Sequence, residues 1–314
     1  MSTRRLIALL GLATGCCTLA AREMNVEDSF HRTLRVAGPV DLEVNTGAGN
    51  IHLRAGLPGE VRITGTVRGP EAAEEALLLE ADPPIEQTGN YIRVGRDEPE
   101  EWYRASLSIS YEIIAPPDTR LRARTGVGDQ QVEGIRGPVE AVSASGPLTL
   151  TNIGSEVHAR TGVGDIRLTA VGGDVQAMTT SGSIYGTGIA GAIRARTGVG
   201  HVRLAASPAP DLEVTTSSGN VQVTGAQGSV RIHTGVGHIE AAGAPAGEWK
   251  LGTGAGNVQV RWPASTALDL HAQASSGQIQ QGGRTSRHEL RRRFGAGGGA
   301  LVHIRTGVGN IRIE

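Results

Sequence analysis

A chain of 314 residues with a formal net charge of −1 has no overall positive field, which argues against nucleic acid as a partner. Its 46 glycines are about twice the average share, whereas it has only two Phe, four Tyr and three Trp. A conventional globular core of this size would need more aromatic side chains. We therefore expect thin cross-sections filled by Val, Ile, Leu, Ala and Thr.

The chain begins with a segment typical of export rather than of a folded domain. Arg4 and Arg5 precede a short apolar stretch over residues 6–14. That stretch is too short to cross a bilayer as a helix, which takes about twenty residues. The pattern predicts a signal peptide over residues 1–15.

A lipidation motif follows the apolar stretch. Leu12-Ala13-Thr14-Gly15-Cys16 resembles a bacterial lipobox, although Ala13 stands where that motif usually has leucine. Cys16 is the expected lipidation site, which would make the protein a membrane-anchored lipoprotein of the cell envelope. Cleavage after Ala20 or Ala21 also satisfies the small-residue rule and would give a periplasmic or secreted protein.

Residues 25–120 are less regular but rich in strand patterns, such as those at 40–44 and 106–111. They are expected to form a β-rich N-terminal part of the fold. Residues 70–79 are the only good helix candidate, and we expect that helix to cover the side or the end of the structure.

Glycine recurs at a fixed interval through the second half of the chain. The recurring unit is a glycine, then a polar residue or proline, then an aliphatic residue. It occurs at Gly128 (with Gln130 in the aliphatic place), Gly146, Gly164, Gly182, Gly200, Gly219, Gly237, Gly256, Gly277 and Gly309. The successive steps are 18, 18, 18, 18, 19, 18, 19, 21 and 32 residues. This periodicity predicts a regular repeat array over residues 121–314.

Apolar and polar residues alternate within each repeat. In one repeat, the residues expected to point inward are Val157, Ala159, Thr161 and Val163. The residues between them, His158 and Arg160, are expected to point outward. One unit cannot bury its apolar face alone, so the units are expected to stack through strand pairing. The sequence therefore predicts an all-β fold, a β-solenoid of 18-residue repeats with a less regular β-rich N-terminal part.

The corner sequences of the repeats are of two kinds. Thr-Gly-Val-Gly occurs at 125–128, 161–164, 197–200, 234–237 and 306–309, and the units between carry other corners, such as Thr180-Ser181-Gly182. Either each repeat is one coil, or two unlike repeats form a coil of about thirty-six residues. The sequence leaves both arrangements open.

The C-terminal region departs from the regular spacing. Residues 281–299 form an insertion rich in arginine and glycine before the last repeat. Residues 311–314 read as a strand, and we expect that strand to lie at an open end of the stack, with unpaired N–H and C=O groups. The alternative is that the insertion folds over that end.

The repeated pattern of residues 161–168, Thr-Gly-Val-Gly-Asp-Ile-Arg-Leu, resembles a bacterial β-strand-repeat family of unknown function, the DUF4097 type, whose members are often labelled adhesins. The leader, the early Gly-Asn-Ile unit at 49–51 and a strand ending in prolines at 111–116 fit the same layout. The resemblance implies a repeat array and an adhesin-like role. It supplies no catalytic residues, because none are established for the family.

The residue before each Thr-Gly-Val-Gly corner forms a candidate stripe for an anionic ligand. It is arginine in four copies and His233 in the remaining one. The four arginines are Arg124, Arg160, Arg196 and Arg305. By the alternation, all of these side chains point outward. A row of guanidinium groups suits an anionic polymer, such as phosphorylated lipopolysaccharide or an acidic glycan. The plain alternative is that the arginine stems cover apolar surface and their charges are solvated.

Metal ions and cofactors are not expected. Only Asp129 and Asp165 occupy the corner after Thr-Gly-Val-Gly, whereas a calcium site needs several oxygen ligands. His201 and His238 are two repeats apart, which is typical of stacked corner residues and not of a metal pair. A polar ladder along the corner is the favoured interpretation.

These patterns favour a binding or scaffold module of the cell envelope and not a catalyst. Its partner would be an anionic envelope polymer or a protein, and a lipid anchor would hold it at the membrane. Two alternatives stay open. One is a glycan-active enzyme, which would need carboxylates converging in a groove, and the other is a self-assembling structural protein.

Overall fold

The computed structural model describes residues 26–69, 77–79, 81–95, 108–205, 209–295 and 299–314. The expected signal peptide and Cys16 lie outside the described residues. Of the expected helix at 70–79, residues 77–79 are described, and they are helical. Within the described part of the chain, no helix is long and apolar enough to cross a membrane.

Strands dominate the described residues. The N-terminal strands are β1 (Val26–Arg35), β2 (Asp41–Ala48), β3 (Ile51–Ala55), β4 (Glu60–Gly69), β5 (Ile85–Thr88), β6 (Tyr91–Val94) and β7 (Ser108–Ala115). The next strands are β8 (Arg120–Val127), β9 (Gln130–Glu133), β10 (Val139–Ser145), β11 (Leu148–Ile153), β12 (Val157–Val163), β13 (Ile166–Val171), β14 (Val175–Ser181), β15 (Ile184–Ile189), β16 (Ile193–Val199) and β17 (Val202–Ala205). The last strands are β18 (Asp211–Ser218), β19 (Val221–Ala226), β20 (Ser229–Val236), β21 (Ile239–Gly243), β22 (Trp249–Ala255), β23 (Val258–Arg261), β24 (Leu268–Gln281), β25 (Arg284–Phe294), β26 (Ala300–Val308) and β27 (Ile311–Ile313).

Each repeat forms one coil made of two strands. β12 pairs in parallel with β14, which places Val157 beside Val175, 18 positions later. β13 pairs in parallel with β15, which places Ile166 beside Ile184, again 18 positions later. The predicted solenoid is confirmed, and the coil is one repeat long rather than two.

The two strands of each coil belong to two faces of the solenoid. We call the sheet containing β12 the first face and the sheet containing β13 the second face. Along the first face the spatial order is β5, β6, β2, β8, β10, β12, β14, β16, β18, β20, β22, β26, β24 and β25. Along the second face it is β1, β4, β7, β3, β9, β11, β13, β15, β17, β19, β21, β23, β27 and the end of β24.

The interior between the faces is narrow and mostly aliphatic. Val157, Ala159 and Ile166 are at most 2% exposed. Thr161 is buried as well, and its Oγ1 donates a hydrogen bond of 2.9 Å to the carbonyl oxygen of Gly146 in the preceding coil. Equivalent bonds come from Thr179, Thr197, Thr234, Thr253 and Thr306. Threonine therefore fills this interior position without leaving a buried hydroxyl unpaired.

The inward assignment of Val163 is wrong. Val163 is 57% exposed, and Val199, at the equivalent position two coils on, is 61% exposed. The corner already begins at Gly162, where an added Cβ would lie 2.5 Å from the carbonyl oxygen of Ala144. Because glycine lets the chain approach the preceding coil so closely, the strict alternation ends at Thr161.

The glycine at the corner has a positive φ. Gly164 has φ of +146°, and an added Cβ would lie 2.3 Å from the carbonyl oxygen of Gly146. A side chain is excluded there both by the backbone conformation and by the coil below. This stacked requirement explains why the glycine spacing marks the coil length in the sequence.

The coil at the N-terminal end is out of chain order. β2 pairs with β6 on one side and β8 on the other, and β3 lies between β7 and β9. Antiparallel strands complete this end, with β4 against β7 and β1 against β4. The irregular sequence before residue 120 thus contributes one coil of the solenoid and the strands that flank it.

The C-terminal end is also out of chain order. β26 lies between β22 and β24, and β27 pairs with both β23 and β24. The expectation that residues 311–314 form an open end is therefore wrong, because that strand is paired on both sides. Instead β24 and β25 form an antiparallel hairpin at the end of the stack, so the alternative that the insertion covers the end is correct.

Candidate binding surface

The predicted arginines come together in a single outward row on the first face. We call this the arginine row. In spatial order it contains Asn45, Arg124, Val142, Arg160, Met178, Arg196, Thr215, His233, Gly252, Arg305 and Gln273. The four arginines and His233 are exposed and alternate with uncharged residues. None of the residues in this row is acidic.

Two of the four arginines share their charge with glutamates of a neighbouring row. Arg124 lies 3.6 Å from Glu43 and 3.2 Å from Glu140, and Arg196 lies 3.1 Å from Glu213. The two arginine side chains are about half exposed, and the pairs with Glu140 and Glu213 contribute little to stability because water screens them. Their guanidinium groups are partly neutralised as a result.

Glu43 is held in its charged form. Its side chain accepts hydrogen bonds of 3.2 Å from Asn45 and 3.0 Å from Tyr91. Burial acts to raise the pKa of Glu43, but these two bonds and the nearby arginine charges outweigh it and leave the pKa below its usual value. Arg124 therefore faces a carboxylate that stays ionised.

Arg160 and Arg305 differ from the other two arginines. Among the described residues, neither side chain has a hydrogen-bond or ion-pair partner, and both are exposed. Arg160 lies between Val142 and Met178 in the row. These two guanidinium groups are free to bind an anion without first breaking an ion pair.

A hollow opens in the arginine row at Gly252. We call it the Gly252 hollow, and it has a volume of about 530 Å³. Its polar lining residues are Arg231, His233, Lys250, His271, Gln273, His303 and Arg305. Pairing places His233 on one side of Gly252 and Arg305 on the other, with Lys250 two residues earlier on the same strand. Gly252 contributes no side chain to this space, whereas every other position between cationic residues of the row has one.

Few acidic groups lie near the hollow. Lys250 Nζ is 2.7 Å from Glu248, and this hydrogen bond holds the pKa of Glu248 below its usual value, with contributions from His303 and Arg231. His271 Nε2 is 2.8 Å from Glu289 on β25. No ion pair is described for Arg231 or Arg305, so the hollow keeps an excess of positive charge.

Sequence reasoning found Arg305 and His233 but missed Arg231, Lys250 and His303. The corner pattern marks only the residue immediately before each Thr-Gly-Val-Gly sequence. The missed residues lie two positions earlier on their strands, where alternation also points side chains outward. The signal that could have found them is Gly252 itself, a glycine where the row otherwise has a side chain.

The corner residues form a polar ladder, as the sequence predicts. Asp165 Oδ1 accepts a hydrogen bond of 2.9 Å from the backbone N–H of Ser183, and His201 Nδ1 accepts one of 3.0 Å from that of Asn220. His238 Nδ1 accepts a similar bond of 2.9 Å from Asn257. Each acceptor thus binds the next coil of the ladder. Within the described ranges, no three His, Cys, Asp or Glu residues are placed to hold a metal ion.

A row of exposed valines was not anticipated. It consists of Val127, Val163, Val199, Val236 and Val308, each 54–62% exposed. In the pairing register these valines alternate with Ser145, Ser181, Ser218, Ala255 and Ser276. The two corner types in the sequence thus correspond to an alternation of larger and smaller residues along one edge of the solenoid.

A model of a known protein family matches most of the chain. The family model described as Toastrack DUF4097 matches residues 40–314. The chain belongs to the Toastrack DUF4097 family. The resemblance expected from the Thr-Gly-Val-Gly repeats is therefore confirmed. No curated protein is significantly similar to this Toastrack DUF4097 chain.

Solved structures include distant matches to this Toastrack DUF4097 protein. A candidate cell-adhesion protein from Clostridium sporogenes ATCC 15579 is 12% identical, with a TM-score of 0.21 over 91% of this chain and 99% of that one. A candidate adhesin from Bacteroides fragilis NCTC 9343 is 13% identical, with a TM-score of 0.33 over 91% and 97%. A candidate adhesin from Parabacteroides merdae ATCC 43184 is 11% identical, with a TM-score of 0.26 over 91% and 96%. The adhesin descriptions belong to those proteins.

Proposed function

We propose that this protein is an adhesin-like binding or scaffold module of the cell envelope that holds an anionic polymer along the arginine row. The observation that carries the proposal is the row itself. It presents Arg124, Arg160, Arg196 and Arg305 on one face of a rigid sheet, with no carboxylate among them.

The spacing of the row suits a polymer better than a single small anion. Residues in alternate coils are about 9.6 Å apart, twice the strand spacing. Arg124, Arg160 and Arg196 follow one another at this interval, and His233 continues it. A chain with regularly placed phosphate, sulfate or carboxylate groups could meet several guanidinium groups at once. Strand pairing fixes these positions in advance, which lowers the entropic cost of binding.

Arg160 and Arg305 are the residues we expect to contribute most. Their guanidinium groups have no described partner, whereas Arg124 and Arg196 are shared with glutamates. An arginine without a competing carboxylate can form a paired hydrogen bond with a phosphate or carboxylate group. The proposal includes no catalytic activity and no nucleic-acid partner.

Binding to dextran sulfate, with uncharged dextran as the reference, tests the proposal. The double variant Arg160→Ser, Arg305→Ser should bind dextran sulfate about tenfold more weakly, a loss of about 1.4 kcal/mol. The control is Arg54→Ser, Arg203→Ser, which removes the same charge from exposed positions of the second face. Equal weakening in the two double variants would contradict a role for the row.

The location in the envelope is part of the same proposal, and it rests on residues 4–16 of the sequence. Replacing Cys16 with serine should release the protein from the membrane fraction, because the acceptor of the lipid is lost. Globomycin, which inhibits signal peptidase II, should cause the precursor to accumulate. Unchanged processing and fractionation of Cys16→Ser would leave simple secretion as the correct account.

A further inference from the structure

We propose that the Gly252 hollow is a binding site for a phosphate monoester group carried by a glycan. This inference rests on the proposed function and assigns one chemical group to one place in the arginine row. The site is defined by Gly252 as its floor, with Lys250, Arg231, His303, His233 and Arg305 around it.

The first support is the missing side chain. The other positions between cationic residues of the row are filled by Val142, Met178 and Thr215. At Gly252 an added Cβ would meet only His233 Nδ1, at 3.5 Å, which is ordinary van der Waals contact. Neither the backbone nor the packing requires glycine there. The open floor of the hollow is therefore due to the residue at position 252 and not to the backbone conformation there.

The second support is the set of charged groups around the space. Adjacent strands are about 4.8 Å apart, and outward residues on one strand are about 6.8 Å apart. The side chains of His233 and Arg305 flank the space along the row, and Lys250 borders it along its own strand. Arg231 and His303 lie at the diagonal positions. Five side chains thus border one space from several directions, and all but Lys250, which is paired with Glu248, are without a described ion pair.

The third support is the match between these donors and the ligand. A phosphate monoester carries up to two negative charges and three acceptor oxygens on a small tetrahedral group, and arginine and lysine are its usual partners. A carboxylate or a sulfate ester carries one charge and would use fewer of the donors. The hollow, at about 530 Å³, also has room for part of the sugar that bears the phosphate. Glu248 is paired with Lys250 at 2.7 Å, and no ion pair is described for Arg231 or Arg305.

The test is a titration followed by the imidazole NMR signals of His233 and His303, with glucose 1-phosphate, inorganic phosphate and glucose as probes. Glucose 1-phosphate should shift both signals at saturable concentrations, and glucose should not. We expect the ester to bind several-fold more tightly than inorganic phosphate, because the hollow also contacts the sugar. Absence of shifts, or equal affinity for the ester and the free phosphate, would overturn the assignment.

Gly252→Thr provides the decisive variant. Threonine would occupy the floor of the hollow, fits the local backbone and favours strand structure, so the melting temperature should stay the same or rise. Glucose 1-phosphate binding should fall by about tenfold. Ala242→Thr, which adds the same residue to a strand of the second face, should leave binding unchanged. A Gly252→Thr protein that binds the ester as well as the parent chain does would refute the site.

A failure of the hollow assignment can be distinguished from a failure of the proposed polyanion binding. Gly252→Thr leaves Arg124, Arg160 and Arg196 in place, so it should still bind dextran sulfate. If the parent protein binds dextran sulfate but not glucose 1-phosphate, the hollow assignment fails and the arginine row stands. If it binds neither, both proposals fail.

Discussion

Two residues of β12 have opposite environments although the alternation of the sequence assigns both to the interior. Thr161 is 2% exposed and bonded to the preceding coil, whereas Val163 is 57% exposed. The more polar residue is inside because its hydroxyl has a fixed acceptor in Gly146. The more apolar residue is outside because the corner begins before it.

This contrast gives a direct test of the inward and outward positions. Ala159→Asp should unfold the neighbouring coils or cost several kcal/mol, because it buries an unpaired charge at a position that is 2% exposed. Val163→Asp should change the free energy of unfolding by roughly half a kcal/mol at most. Thermal melts of the two variants check the prediction, and similar shifts would contradict the assigned register.

The sequence was sufficient for some of these residues and not for others. Outward placement of Arg160 follows from alternation within a strand, because side-chain direction there depends only on the period of two. Val163 could not be placed in the same way, because its direction depends on how closely Gly162 approaches the coil below. The Gly252 hollow was missed for a related reason, since it depends on residues from four coils that are neighbours only after folding.

At the scale of elements, the hairpin of β24 and β25 closes the C-terminal end. β25 is the edge strand and pairs only with β24 within the described chain. Its exposed side chains include Arg284, Arg287 and Arg291. Charged residues on an edge strand oppose pairing with another chain. The arginine-rich insertion therefore has a structural role at the end of the solenoid.

Removing these charges should promote association. We expect the triple variant Arg284→Thr, Arg287→Thr, Arg291→Thr to self-associate, because it leaves an unpaired strand edge without its repelling charges. Light scattering over a concentration series measures the effect. Arg54→Thr, Arg203→Thr on the second face is the control. A triple variant that stays as monomeric as the control would show that the edge charges have no such role.

The order of the last coils can be tested by cysteine pairing. With Cys16 and Cys17 replaced by serine, a Lys250→Cys, His303→Cys pair should form a disulfide, because these residues lie on adjacent strands. A Lys250→Cys, His271→Cys pair should not, since β26 separates their strands and places them about 9.6 Å apart. Mass spectrometry under mild oxidation distinguishes the two. The opposite result would mean that the coils follow the order of the chain.

The order of the last coils could not be predicted from the sequence, and the reason is physical. β24 and β26 both have the inward alternation that fits beside β22, so apolar pattern does not select between them. The choice depends on closing the hairpin of β24 and β25 at the end of the stack, which uses contacts such as Arg293 with Asp269. Glycine spacing, in contrast, reports the coil length directly because each corner glycine lies against the one below.

Over the whole molecule, the stacked strands hold charged side chains at a fixed interval along the first face. The first face contains eleven parallel strands from β2 to β24, which span about 48 Å. Over that length the arginine row has cationic residues at alternate coils and no acid. The net charge of −1 does not reveal this arrangement, because acidic residues in other rows balance the positive charge of the arginine row. A local field on one face can therefore exist in a nearly neutral protein.

The salt dependence of dextran sulfate binding shows whether a polyanion binds along the arginine row as proposed. The affinity for dextran sulfate should fall linearly with salt concentration on a double-logarithmic plot, since binding releases counterions. Arg160→Ser, Arg305→Ser should reduce the slope by about two, roughly one unit for each arginine replaced, and Arg54→Ser, Arg203→Ser should leave it unchanged. A slope that is the same in all three proteins would mean that Arg160 and Arg305 do not contact the polymer.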